Sequence, residues 1–401
     1  MNALDIKQDF PLLRESTIVY LDSAATSQKP ETVLRAVDTF YRVNYASVHR
    51  GIYDLAEKAT GLYEDARTAV ATFINAAPDE VVFTSGATEG INMVAYGWVA
   101  HFLQAGDEII VPESEHHANL LVWKQLAHER NFTLTFIPLK DNFALDIERF
   151  LDAITTRTRF VACSMSSHIF GNYPESYLEA IIQKAHRVGA AVLIDAAQAA
   201  GHRVLDVRRW DIDFLVFSGH KMFAPTGIGI LYSNRSFFAQ WGIYKIGGGM
   251  VHSAKLSCVQ WKEMPYRLEA GTPPIAQAIG LHAAVKYFNE KINLDELAEH
   301  EDLLAQTFIT QLQKYDDIAI MLPAYEEKVH NHVVSFYSKK YHAHDIACAL
   351  NQKNIAVRAG HHCAQPIHQR LGIDASVRVS FHAYTTMNDV EACVMALQQL
   401  Y

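Results

Sequence analysis

The sequence predicts an α/β fold: a mostly parallel sheet flanked by helices on both sides, plus a smaller α+β C-terminal domain. Three observations predict it. Short apolar bursts recur at Val81–Phe83, Ile109–Val111, Phe160–Cys163, Ala191–Ile194 and Phe214–Phe217. They are apolar throughout rather than alternating, as in strands buried on both faces of a parallel sheet. Helical stretches such as Gly90–Gln104 and Leu178–Val188 separate them, and repeated strand–helix units build a sheet with helices on both faces. From about Leu294 the texture changes to longer helices with a few strands, Val333–Tyr337, Ile355–Arg358 and Val377–Phe381.

Upstream of the first burst, Leu55, Ala59, Leu62, Ala66, Val70 and Phe73 fall on one face of a helix over 55–76. The expected division is a large domain over 15–293 and a small domain over 294–401, joined by the N-terminal segment 1–14. No internal repeat, charge block or Pro/Ser-rich linker marks the boundary.

Composition narrows the function classes. Half of the 401 residues are apolar (50%), which excludes a disordered, collagen-like or low-complexity chain. Lys and Arg number 35 against 44 Asp and Glu, a formal charge of −9. Nucleic-acid binders carry a basic surplus, so neither nucleic acid nor an anionic membrane surface is expected as a partner. Five cysteines, widely spread and without a Cys-x-x-Cys pair, argue against a disulfide framework or zinc ribbon and fit a reducing cytosol. The N-terminus lacks the apolar core of a signal peptide, and no apolar run reaches the ~18 residues of a membrane span. The expectation is a soluble cytoplasmic protein.

In open α/β sheets ligands sit beyond the carboxyl ends of the strands. After Val81–Phe83 comes Thr84-Ser85-Gly86-Ala87-Thr88-Glu89-Gly90, a small-residue turn into a helix start that suits a phosphate; an ordinary glycine turn capped by Thr88 would look the same. After Ala191–Ile194 comes Asp195-Ala196-Ala197-Gln198. A carboxylate there needs a cation or strong donor, or serves as an N-cap. Phe214–Phe217 runs into Ser218-Gly219-His220-Lys221, where a partly desolvated lysine would have a lowered pKa and a reactive amine; a surface lysine on a turn is the alternative. Pro225–Ile230 reads as a glycine-rich turn into another strand. Taken in order, with Glu115-His116-His117 between the turn and the acid, these segments form the inventory that pyridoxal phosphate (PLP) requires. It needs a Schiff-base lysine, an acid for the pyridine nitrogen, an aromatic ring on its face, and hydroxyls and N–H groups for its phosphate.

A second constellation lies in Arg358-Ala359-Gly360-His361-His362-Cys363-Ala364-Gln365-Pro366, after the strand Ile355–Arg358. A thiol beside two imidazoles and near an arginine favours thiolate. A metal site would need three or four ligands, and no second His/Cys cluster of suitable spacing stands in the sequence, so no metal is expected. An inert loop cysteine is the remaining alternative.

These segments resemble the fold-type I PLP-dependent transferases of the class V aminotransferase kind, and within them the cysteine desulfurase/selenocysteine lyase family. The resemblance runs nearly end to end, through Tyr20–Thr26, Val48–Gly51, Thr84–Asn92, Glu115–Asn119, Ile194–Gln198, Ser218–Lys221, Glu269–Pro273, Arg358–Pro366 and Arg378–Phe381. It implies that Lys221 carries PLP, that Asp195 pairs with the pyridinium, that His116 stacks on the ring and that Gln198 sits near the phenolic oxygen. Thr88, Ser218 and His220 would bind the phosphate, with Ala87 in the same turn. Thr272, at the threonine of the Glu-Ala-Gly-Thr-Pro motif, would reach the phosphate of the other subunit, implying a homodimer.

Cys363 aligns with the cysteine that attacks the substrate sulfur and becomes a persulfide. Arg378 aligns with the arginine that pairs with the substrate carboxylate, for which a forked guanidinium suits a planar anion; Arg358 and His49 join it as substrate-binding candidates. The Cys363 loop is similar to that of the group lacking a long flexible loop, which passes sulfur to a small acceptor protein. L-cysteine as substrate, L-alanine as product and a role in iron–sulfur cluster assembly follow as implications. Selenocysteine lyase and a PLP-binding non-catalytic scaffold are the alternatives. His168 stands where relatives usually carry Asn, Ser85 where Arg is common, Ala87 and Ser47 where Thr and Asn are, and Ala224 and Pro274 where Gly and Asn are.

Overall fold

The computed structural model describes residues 2–400. Seven strands form the main sheet: β1 Val81–Thr84, β2 Glu108–Pro112, β3 Thr133–Ile137, β4 Thr158–Ser164, β5 Ala191–Asp195, β6 Phe214–Ser218 and β7 Gly229–Ser233. Their order is β1-β7-β6-β5-β4-β2-β3. All pairings are parallel except those of β7, which is antiparallel to both neighbours. The five bursts are strands, and β7 is the strand after the glycine-rich turn. β3 has no counterpart in the sequence reading because it is an edge strand, Thr-Leu-Thr-Phe-Ile, with only Ile137 buried.

Continuous apolarity in the strands has a packing cause. Ile110, Val161, Val192 and Leu215 enter the core on one face, while Ile109, Phe160, Leu193 and Val216 enter the core on the other. Successive side chains point to opposite faces, so a two-sided core demands apolar residues at every position. The helix expected over Gly90–Gln104 begins earlier, at Ala87. It widens into a π-helical stretch at Val94–Val99 and ends at Phe102. Trp241 packs against Gly97 there, where a Cβ would lie 3.0 Å from the indole.

The C-terminal sheet holds β8 Ile318–Ile320, β9 Val333–Ser338, β10 Arg358–Gly360 and β11 Ser376–Ser380, ordered β8-β9-β11-β10 and antiparallel throughout. The single strand expected over Ile355–Arg358 is two. Ile355–Ala356 pairs in parallel with Val19–Tyr20, and the chain then turns so that Arg358–Gly360 pairs with β11. A bridge from Asp22 to Ser380 continues the first pairing, so the segment Val19–Asp22 is laid along the small sheet. An exposed hairpin, Val251–Lys255 with Cys258–Trp261, also stands outside the sequence reading.

One buried ion pair ties the Glu-Ala-Gly-Thr-Pro segment to the sheet. Arg67, on the helix Asp54–Phe73, donates to both carboxylate oxygens of Glu269 at 2.7 and 2.9 Å. Glu269 also accepts from Phe83 N–H and Tyr63 Oη, and Arg67 reaches the Val81 carbonyl. Both side chains are under a tenth exposed. Removing the sole partner of a buried charge costs about 3–5 kcal/mol, but Arg67 Nε also donates to Glu64 at 2.9 Å, so losing Glu269 costs less than that. Glu269→Gln is expected to lower the denaturation midpoint accordingly; an unchanged midpoint would show that this knot holds nothing.

Candidate active site

β1, β5 and β6 end on the same edge of the sheet, and their C-terminal residues build one cavity of about 190 Å³. Its walls include Ala87, Thr88, His116, His168, Asp195, Gln198, Ser218, His220 and Lys221 from the large sheet's side, and Arg358, His362 and Arg378 from the small sheet. Eleven of the sequence candidates therefore converge: these twelve residues without His362.

The turn after β1 is held by Ser218, whose Oγ accepts Ala87 N–H at 2.8 Å. The close approach depends on Gly229 at the start of β7, where a Cβ would lie 2.4 Å from Gly86 Cα. Lys221 closes a one-turn 3₁₀ helix, Gly219–Lys221, directly after β6. Burial pushes its amine down from 10.5 to about 8; Asp195 opposes the shift, while Arg378 and Arg358 add to it. Asp195 ends β5, accepts Ala197 N–H at 2.9 Å, and is pushed above the usual carboxylate range by burial against the pull of that N–H and of Lys221. Gln198 is oriented by donating from Nε2 to the Ala24 carbonyl at 3.0 Å.

The imidazoles are neutral. His116 accepts Ala118 N–H on Nδ1 at 3.1 Å, and burial with the nearby Lys221 charge lowers it to about 3. His168 meets it edge-on, with ring centroids 5.0 Å apart at 75°. His168 is held well below its ordinary value by burial, and its Nε2 has no hydrogen-bond partner. His220 is lowered to about 4 by burial and by Lys221.

Arg378, on β11, is 1% exposed. It donates to the His168 carbonyl at 3.0 Å and to Asp22 Oδ1 at 3.3 Å, and its Nε is unpartnered. Burial lowers it to about 10. Arg358 lies directly across the β10–β11 ladder from Arg378. Its Nη2 stands 3.9 Å from Cys363 Sγ.

Cys363 is half-buried. Neither neighbouring imidazole faces the thiol: His362 turns inward and donates from Nε2 to the Ser376 carbonyl, and His361 is exposed. The loop is instead held by His117, whose N–H donates to the Cys363 carbonyl at 2.9 Å while its Nε2 accepts Gln365 N–H. His362 and Cys363 have φ of 51° and 63°. Two successive left-handed residues carrying side chains store about 1–3 kcal/mol each.

Thr272 and His49 lie elsewhere. With Arg50, Tyr266 and Glu269 they line a second cavity of about 80 Å³. His49 Nε2 is 2.8 Å from Glu64 Oε1. The residues that sequence reasoning missed are Asp22, Ala24, Glu115 and His117, all inside quoted motifs but given no role there. Glu115 is fully buried, accepts from Ser164 and Asn119, and is pushed up to about 7 by burial.

The donor set fits PLP. Hydroxyls, the start of the helix at Ala87 and His220 suit a phosphate; a buried acid suits a pyridine nitrogen; and an amine lowered to about 8 suits an aldehyde. The orphaned Nε2 of His168 offers one further polar contact inside the wall. The class defined by this fold and site is the PLP-dependent transferases of fold type I.

The model of the class V aminotransferase family matches residues 19–393. A protein of Halalkalibacterium halodurans described as a "probable cysteine desulfurase" is 41% identical over 404 residues, covering 100% of this chain and 98% of its own. The cysteine desulfurase of Haloferax volcanii is 38% identical over 410 residues, with 98% and 95% covered. A crystal structure of an Escherichia coli cysteine desulfurase in an S-sulfonic acid form superimposes with a TM-score of 0.92 at 36% identity, covering 100% of this chain and 98% of that one. The chain belongs to the class V aminotransferase family, and within it to the PLP-dependent cysteine desulfurases.

A lysine lowered to about 8 is half uncharged at that pH, whereas a solvated one needs about pH 10.4. Covalent capture of PLP by the apoprotein, followed by absorbance, is expected to quicken with pH up to about 8 and then level off. Acceleration continuing to pH ~10 would place Lys221 in ordinary solvent.

Proposed function

We propose that this chain converts L-cysteine to L-alanine and takes the sulfur as a persulfide on Cys363. The observation that carries the reading is that the Lys221 amine and the Arg358–Arg378 pair line one cavity, with the Cys363 thiol outside that lining but 3.9 Å from Arg358 Nη2. The net change balances as Cys363–SH plus cysteine giving Cys363–S–SH plus alanine.

PLP, when bound, supplies an electron sink that acidifies the substrate Cα–H and weakens the Cβ–S bond. The protein supplies everything else. Arg378 and Arg358 offer guanidiniums to the substrate carboxylate, with Asp22 keeping Arg378 in place. Lys221, near 8, can take a proton from Cα as a free amine and return it. Asp195 would hold the proton on the pyridine nitrogen, and neutral His116 would face the ring without adding a competing charge. The Cys363 thiolate attacks the substrate sulfur: the S–S bond forms, Cβ–S breaks, and the freed electron pair is protonated on its way to the methyl group of alanine.

A homodimer accounts for Thr272 and His49, which line a cavity on the outside of this chain. Next to His49 in the chain, Ile52 is 98% exposed and Tyr53 more than half exposed, and exposed apolar groups of this kind suit an interface. In that arrangement Thr272 would complete the partner's phosphate site. Sulfur would leave Cys363 for a small acceptor protein, since the loop is short and half-exposed. No helix among the described residues is long and apolar enough to cross a membrane; a cytoplasmic, reducing setting suits a persulfide carrier.

L-cysteine and L-selenocysteine supplied in parallel, with alanine measured with and without a reductant, test the reading. Alanine from cysteine that depends on Cys363 is expected; alanine from selenocysteine alone would make the chain a selenocysteine lyase, and alanine from neither would leave a PLP-binding scaffold. Cys363→Ser is expected to keep the cofactor's absorbance and lose desulfuration by about 100-fold or more. Full activity in that variant refutes the nucleophile. Lys221→Ala is expected to abolish the absorbance of the covalently linked cofactor, and an unaltered spectrum would remove Lys221 from its role.

A further inference from the structure

Lys221 sits in main chain that its own turn only half secures. The Met222 and Ala224 N–H groups both donate to the Gly219 carbonyl, at 2.9 and 3.1 Å, so the turn leaves the next carbonyl, that of His220, without an internal partner. That carbonyl belongs to the peptide group leading into Lys221. It accepts from four groups of one distant segment: Ser27 N–H at 3.0 Å, Thr26 Oγ1 at 3.1 Å, Ser27 Oγ at 3.1 Å and Lys29 Nζ at 3.0 Å. On the far side of Lys221, Phe223 N–H donates to the same Ser27 Oγ at 2.8 Å. One serine, 2% exposed, thus grips the chain both before and after the lysine.

We propose that Ser27, backed by Thr26 and Lys29, is a positioning residue that fixes the main chain on both sides of Lys221 and so holds its amine in the cavity. The inference rests on Lys221 being the amine that carries PLP. Phe223 shows why a bracket is needed. It is fully buried and has a φ of 66°, a left-handed conformation that a residue with a side chain keeps only where its surroundings over-determine it. A hydroxyl has one proton to donate and lone pairs to accept with, so Ser27 Oγ serves His220 and Phe223 at once. Alanine at 27 would leave the buried Phe223 N–H unpaired, which folded chains avoid.

The bracket is itself anchored. Lys29 donates to the Ser27 carbonyl as well as to that of His220, and burial pushes its amine down to about 8. A partly buried ammonium is costly, and here it ties Ser27 to the lysine turn. Tyr20 Oη donates to the Thr26 carbonyl at 2.7 Å, and Gln28 N–H donates to Tyr384 Oη at 3.2 Å. The same segment carries Asp22, which meets Arg378, and Ala24, whose carbonyl holds Gln198. The stretch from Asp22 to Lys29 therefore sets Arg378, Gln198 and Lys221 relative to one another.

The test reads the state of the amine rather than turnover. Full-length protein freed of its cofactor is offered PLP across a pH series, and the absorbance of the covalent product is followed in the wild type, Ser27→Ala and Lys221→Ala. Release of the bracket lets water reach the amine, which raises it from about 8 toward the ~10.4 of a solvated lysine. Ser27→Ala is therefore expected to capture PLP about 10-fold more slowly at pH 7, its rate levelling off about one pH unit or more above the wild-type plateau. An unchanged pH profile overturns the inference even if the unfolding midpoint falls, because a serine that only stabilises the fold would leave the amine alone. Should Ser27→Ala fold poorly, hydrogen exchange at the Phe223 amide of the wild-type holoenzyme decides: exchange as slow as that of β6 supports the bracket, and faster exchange refutes it. Capture that persists in Lys221→Ala removes the PLP lysine itself and the inference with it, whereas Lys221-dependent capture with an unshifted Ser27→Ala profile removes the bracket alone.

Discussion

Desolvation of the Lys221 amine is the constraint around which the structure is arranged. An ammonium removed from water is costly, and the fold removes this one deliberately, setting it one turn beyond a strand that is buried on both faces. The offset comes from the adjacent strand end, where Asp195 supplies a counter-charge that is itself raised by burial. Neither group is stable there alone. The parallel order of β5 and β6 makes the pairing automatic, because adjacent parallel strands end side by side. Chemistry that needs a free amine and a buried acid together thus follows from strand order.

The small sheet adds an opposite kind of imbalance. Arg358 and Arg378 face each other across β10 and β11, and like charges directly opposite are destabilising. Asp22 meets Arg378 from the parallel N-terminal pairing, but at 3.3 Å and through one oxygen. Two guanidiniums with one modest carboxylate between them are under-neutralised. An amino-acid carboxylate entering the cavity would complete the count, with the Cys363 sulfur 3.9 Å from Arg358. On the proposed reading, substrate binding and nucleophile placement would draw on the same surplus of positive charge.

Much of this was legible in the sequence, for identifiable reasons. Strands buried on both faces must be apolar at every position, so β1, β2, β4, β5 and β6 announce themselves. β3 sits on an edge, where only one residue is buried, and its alternation carries no comparable signal. The segment Ile355–Gly360 looks like one strand because β-propensity does not report a change of partner, and only the tertiary pairing divides it. In the site, Lys221 and Asp195 stand at strand ends, where position alone suggests chemistry. Asp22 and His117 act on residues more than 200 positions away, so nothing local to either reveals its partner.

The substitution at 168 shows how such a site tolerates change. An imidazole at this position could introduce a titrating charge into the cavity wall. Full burial prevents that, since His168 is held well below its ordinary value and has no counter-ion to recharge it. What remains is a neutral ring with a free nitrogen, standing edge-on to His116 at 5.0 Å, an arrangement that aromatic rings favour. Its main-chain carbonyl, independent of side-chain identity, accepts the Arg378 guanidinium. The position thus links the cavity wall to Arg378 through the backbone, a contact that does not depend on the side chain.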